Sequence, residues 1–100
     1  MRTIYKYPLE IKDKQIIKVK GIKGSWCIQD HLLHVGVQKN IPCLWCLADD
    51  GEPTRDIEVT MIGTGNRVEP NWLDKGNHLG TVILYGGDLV MHIFVTQNQY

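Results

Sequence analysis

The sequence predicts an all-β fold, a compact antiparallel sandwich or barrel of about seven short strands. Three observations carry this. The apolar stretches are short and rich in β-branched and aromatic residues; they recur about every ten residues between turn signals; and no stretch keeps a helical period. A chain of 100 residues is one domain, 1–100, with roughly two-thirds of its unfolded surface available for burial.

The elements follow in order. "TIYKY" (3–7) is a first strand ended by Pro8, and "QIIKV" (15–19) is a second. The segment 20–26 carries two glycines and reads as a loop or bulge. Strands follow over 31–37, 42–49 and 55–64, and over 78–85 and 89–95. Ile57, Val59 and Met61 alternate with Asp56, Glu58 and Thr60, which places the first three inward. Tyr85-Gly86-Gly87-Asp88 reads as a two-residue glycine turn that sets Val82 opposite Met91, Leu84 opposite Leu89 and Thr81 beside His92. A Lys39-Asn40 turn sets Val35 opposite Leu44, His34 opposite Trp45 and Leu33 opposite Cys46. The stretch 65–77 has no strong period and is a long loop, with room for a helical turn after Pro70.

Composition narrows the function classes. Acidic and basic residues balance to a formal charge of zero, so general nucleic-acid binding, which needs an excess of cations, is not expected. The first residues lack an apolar leader core, and no apolar run approaches the roughly 20 residues of a membrane helix. Three cysteines argue against a disulfide framework, and a reducing cytoplasm is the expected compartment.

Cys43-Leu44-Trp45-Cys46 is a C-x-x-C. On a strand, residues three apart face opposite ways, so the two sulfurs cannot share a metal or a disulfide. Neither a second C-x-x-C nor the glycine of a zinc knuckle is present, only Cys27. We read Cys43, Trp45 and Leu47 on one face of a core strand and Leu44, Cys46 and Ala48 on the other. His31 and His34, also three apart, are expected to diverge. His34, Cys43 and His92 are the residues a metal-dependent or nucleotide-processing enzyme would draw on. The spacing alone does not assemble three ligands, and neither metal nor cofactor is expected. Ser25 lacks a nucleophile-elbow context, and the acids around residues 49–56 lack calcium-loop spacing.

"GTGNR" (63–67) follows a strand. Its glycine amides could cradle an anion and Arg67 could pair with a phosphate, although a plain strand-ending turn is the favoured reading. Arg67, Asn71, Trp72 and Lys75 on the long loop form the candidate binding surface, with Tyr85 or Tyr100 as further contacts, because arginine and tryptophan dominate binding hot spots. Trp72 folding back as a lid over one end of the fold is the competing reading.

The order "TIYKYPLEI", "LHVGVQKNIPCLWCLAD", "IGTGN", "HLGTVILYGGDLVMHIF" resembles a family of small phage and prophage proteins known only as a domain of unknown function. The family pattern has alanine where this chain has Cys46, and histidine and proline where it has Asn66 and Arg67. The resemblance implies a small accessory protein made in a bacterial host cell. The expected function is a non-catalytic binding module that engages a host protein or protein complex, or a small ligand. Antagonism of a host defence system is one such role, homo-oligomers are possible, and a virion-associated structural protein is the remaining alternative.

Overall fold

The computed structural model describes residues 1–23, 28–68 and 77–97. Among these residues seven strands form two antiparallel sheets. They are β1 (Arg2–Pro8), β2 (Lys14–Lys20), β3 (Leu32–Gln38), β4 (Ile41–Asp49), β5 (Thr54–Gly63), β6 (Asn77–Leu84) and β7 (Leu89–Gln97), with one short helix, α1 (Ile28–His31). One sheet has the order β1-β4-β3 and the other β2-β5-β7-β6. The fold is therefore a sandwich. Its 17 Å shortest extent fits two layers about 10 Å apart plus their outward side chains. No helix among the described residues is long and apolar enough to cross a membrane.

The core lies between the sheets. Leu44 and Cys46 meet Ile57, Val59 and Met61 from β5, Ile93 and Val95 from β7, and Val82 and Leu84 from β6. The expected inward set of β5 is thus fully buried. The sheets are tied at both margins. Along one, β3 lies against β6 so closely that a Cβ on Gly80 would sit 3.2 Å from Val35 Cβ. Along the other, the Lys20 amide donates to the Tyr7 hydroxyl at 3.2 Å. Burial there raises the Tyr7 pKa, partly opposed by that same hydrogen bond.

The turn residues account for both hairpins, and three departures from expectation accompany them. Lys39 and Asn40 both take positive φ, 54° and 61°, and the β3–β4 register keeps Val35 opposite Leu44 and His34 opposite Trp45. Leu32, not Leu33, stands opposite Cys46, because a bulge falls between Leu32 and His34. The extra residue lets Leu32 and Val35, three apart, both pack on the core, while Leu33 is left exposed. The β6–β7 register is as expected, with Thr81 opposite His92, Val82 opposite Met91 and Leu84 opposite Leu89. Its connection is not a two-residue turn. Tyr85, Gly86 and Gly87 all have positive φ, and the Asp88 amide closes on the Tyr85 carbonyl at 3.3 Å, so the loop takes four residues. A second bulge between His78 and Gly80 does for Leu79 and Val82 what the first does for Leu32 and Val35. His31, expected on a strand, is instead the last residue of α1 and is buried. Burial lowers its pKa, with the nearby Asp30 acting in the opposite sense.

Candidate functional site

Cys43 and Cys46 are free thiols. β4 pairs with β1 without interruption from Arg2–Asp49 to Pro8–Cys43, so the pleat turns the two cysteines to opposite faces. Cys46 belongs to the core, where burial pushes its thiol pKa up to about 12. The Cys43 thiol donates to the Ile41 carbonyl at 3.4 Å. These are packing positions. His34 and His92 occupy different sheets, and among the described residues no group of three metal-ligating side chains gathers. His34 is exposed and its ring lies 5.4 Å from that of Trp45.

Arg67 lies within the described residues; Asn71, Trp72, Lys75 and Tyr100 lie outside them, as do Ser25, Cys27 and the segment after Pro70. Tyr85 is exposed in the β6–β7 loop, where its amide donates to Asn40 Oδ1 at 3.3 Å and so joins the hairpins of the two sheets.

The outer face of the four-stranded sheet carries two features at the end where β5 stops. The first is a hydrogen-bonded chain. His92 Nε2 is 2.7 Å from Thr64 Oγ1, and His92 Nδ1 is 2.9 Å from Thr81 Oγ1. His78 Nε2 reaches the same Thr81 hydroxyl at 3.4 Å, and the His78 ring packs 5.0 Å from Phe94. Strand pairing explains the convergence. His92 faces Thr81 on one side and Ile62 on the other, and Thr64 follows two residues after Ile62.

The second feature is a groove of 270 Å³ lined by Asp13, Lys14, Thr60, Ile62, Arg67 and Val68, among others. Lys14 stands opposite Thr60 in the β2–β5 register, and Thr60 stands opposite Phe94. The groove and the histidine chain therefore occupy neighbouring rows of one sheet face. The loop that supplies Arg67 is fixed by its own turn. Gly65 has φ +91°, and the Asn66 amide donates to the Gly63 carbonyl at 3.1 Å. The Asn66 side chain folds over Gly63, where an added Cβ would come within 3.0 Å of Nδ2. Thr64 is held twice, through His92 and through its amide to the Val90 carbonyl at 3.1 Å.

Lys14 and Arg67 are exposed and take no part in the ion pairs among the described residues, which are Arg2–Asp49, Lys12–Glu10 and Lys18–Asp56. The sequence offered Arg67 but not Lys14, because only strand pairing brings residue 14 to residue 60. The expected second strand, "QIIKV" (15–19), stopped one residue short of Lys14, which the structure includes in β2.

No curated protein and no solved structure matches the chain. The chain belongs to the family described as Domain of unknown function (DUF7352), which matches residues 1–100.

Proposed function

We propose that the chain is a non-catalytic binding module that grips its partner on the outer face of the four-stranded sheet, at the groove beside Lys14 and Arg67. One observation carries this reading: two cations without ion-pair partners among the described residues share a concave surface with Ile62 and the exposed Val68. Such a surface combines an arginine anchor with apolar area, the composition of an interaction hot spot. The partner we expect is a host protein or protein complex in the bacterial cytoplasm, with the chain serving a phage or prophage as an accessory protein. That setting rests on the sequence resemblance.

The test is affinity capture from bacterial lysate with the tagged chain and with a Lys14→Ala, Arg67→Ala variant of unchanged circular dichroism. Loss of a hot-spot side chain costs ~2 kcal/mol or more, so a partner held by the wild-type chain should be lost by the variant. Retention of the same partner at the same level by both would remove the groove from the reading.

A catalytic reading draws on one specific observation. Thr64, His92 and Thr81 stand in the order of nucleophile, base and orienting group, with both contacts within hydrogen-bond reach. It ranks second because the group behind His92 is a hydroxyl, not a carboxylate able to stabilise an imidazolium. Hydrolysis of p-nitrophenyl acetate that disappears in Thr64→Ala and survives in Thr64→Ser would promote it.

A further inference from the structure

We propose that the groove between Lys14 and Arg67 is a binding site for a phosphomonoester, with the phosphoryl group on the two cations and the organic part against Ile62 and Val68. The proposal rests on the binding-module reading and names the ligand chemistry of the same site.

The lining is rich in donors. Lys14 offers an ammonium, Arg67 a guanidinium fork, Thr60 a hydroxyl and Asn66 an amide, and Asp13 is the one carboxylate among them. A phosphoryl group presents three terminal oxygens, enough to accept a bidentate arginine contact and a lysine contact together; a carboxylate presents two. The charges also fit. Among the described residues of the lining, two cations and one carboxylate give a net single positive charge, against about −1.5 to −2 on a phosphomonoester at pH 7.

Asp13 narrows the ligand further. Its carbonyl accepts the Met61 amide at 3.0 Å, which fixes the residue against β5. Its carboxylate then supplies an acceptor for a hydroxyl or amino group on the organic part of the ligand. Size sets the other limit. At 270 Å³ the groove falls just below the roughly 300–1,000 Å³ of sites that enclose drug-sized ligands, a size that suits a compact phosphorylated molecule. The Thr64 and Asn66 contacts hold the loop before any ligand arrives, which lowers the ordering cost of binding.

The experiment is a titration of the 15N-labelled chain followed by amide shifts at constant ionic strength, with inorganic phosphate, ribose 5-phosphate and acetate as probes. The expected result is saturable shifts confined to residues 13–14, 60–62 and 66–68. Ribose 5-phosphate should bind more tightly than phosphate, and acetate about tenfold more weakly. Lys14→Gln and Arg67→Gln should each weaken the phosphate probes about tenfold, and Arg67→Lys should not restore the fork. Shifts that fail to saturate, acetate binding as well as phosphate, or affinity unchanged in both glutamine variants would overturn the proposal. The capture experiment keeps the two readings apart. Partner capture that needs Arg67, without phosphate binding, defeats the phosphomonoester and leaves the module. Phosphate binding with capture indifferent to both cations upholds this site and defeats the docking reading.

Discussion

Replacing each cysteine of the C-x-x-C by serine separates packing from chemistry, because the two side chains have different surroundings. Cys46 is 0% exposed and packs among apolar groups of both sheets. A hydroxyl placed there loses its water without gaining an apolar contact, at a cost of ~1–3 kcal/mol for a buried unsatisfied donor. Adding the lost apolar transfer, we expect Cys46→Ser to cost about 2–3 kcal/mol out of the roughly 5–15 kcal/mol of a domain this size. At about 4–8 °C per kcal/mol, that lowers the melting temperature by roughly 10–20 °C. Cys43 differs in that its thiol already donates to the Ile41 carbonyl at 3.4 Å, and a serine hydroxyl can donate to the same acceptor. Cys43→Ser should therefore stay within about 1 kcal/mol of wild type. The assay is urea denaturation of both variants followed by circular dichroism, with and without chelator and reductant. Equal losses in the two variants, or a wild-type transition that moves with chelator or reductant, would refute the packing argument and restore a metal or redox role.

Asn40→Ala should cost about 1–2 kcal/mol in the same denaturation assay, since alanine takes the 61° φ poorly and cannot accept the Tyr85 amide. Acidification should destabilise the fold in two stages. Burial lowers the pKa of His31, so the unfolded chain takes up a proton first and stability falls as the pH drops below about 6.5. Asp49 is lowered mainly by the Lys23 amide and Glu10 mainly by Lys12; their contributions are present above the ordinary carboxylate range and lost as the pH falls through it. His31→Gln should remove the first stage from a plot of unfolding midpoint against pH, and a plot that keeps it would refute the assignment. His92→Phe keeps a ring and deletes both hydroxyl contacts, and should weaken phosphate binding severalfold without touching the groove; unchanged affinity would show that the chain does not steady the loop.

The strands were legible because their signal is local. Alternation in "RDIEVTM" identifies Ile57, Val59 and Met61 as buried, and the Lys39-Asn40 turn, whose residues take positive φ, sets the β3–β4 register from Gln38 back to His34. The bulges were not legible. Leu32-Leu33 and Leu79-Gly80 each offer two ways to continue the alternation, and the choice is made by the core on the far side, which wants Leu32 and Leu79 inward. The same limit applied to the site. Thr64, Thr81 and His92 lie in three separate stretches, and Thr81–His92 was predictable from the hairpin. The link to Thr64 needed the β5–β7 pairing, and the link from Arg67 to Lys14 needed the β2–β5 pairing. Neither of these pairings is a hairpin, and each is decided by the packing of both sheets.

Strand pairing also explains why a chain with no net charge has, among the described residues, two cations outside any ion pair at one end. On the outer face, β5 runs Asp56, Glu58, Thr60, Ile62, so its acids give out toward the groove. β2 runs the other way along it, with Lys18 opposite Asp56, Ile16 opposite Glu58 and Lys14 opposite Thr60. Lys18 finds a carboxylate at 2.9 Å; Lys14, four residues earlier on the same face, finds a hydroxyl-bearing residue across the ladder. Arg67 then arrives on a loop held by Thr64 and Asn66, adding a second cation where the strand has no acids left. Asp13 returns part of that charge, leaving the described lining positive by one. A register shifted by two residues would place Lys14 opposite Glu58 and Lys18 opposite Thr54, moving the unpaired strand cation away from the groove. It would also move Ile17 and Val19 from their places opposite Ile57 and Arg55. The buried face of β2 therefore fixes the electrostatics of its exposed face, and the groove's charge follows from how the core packs.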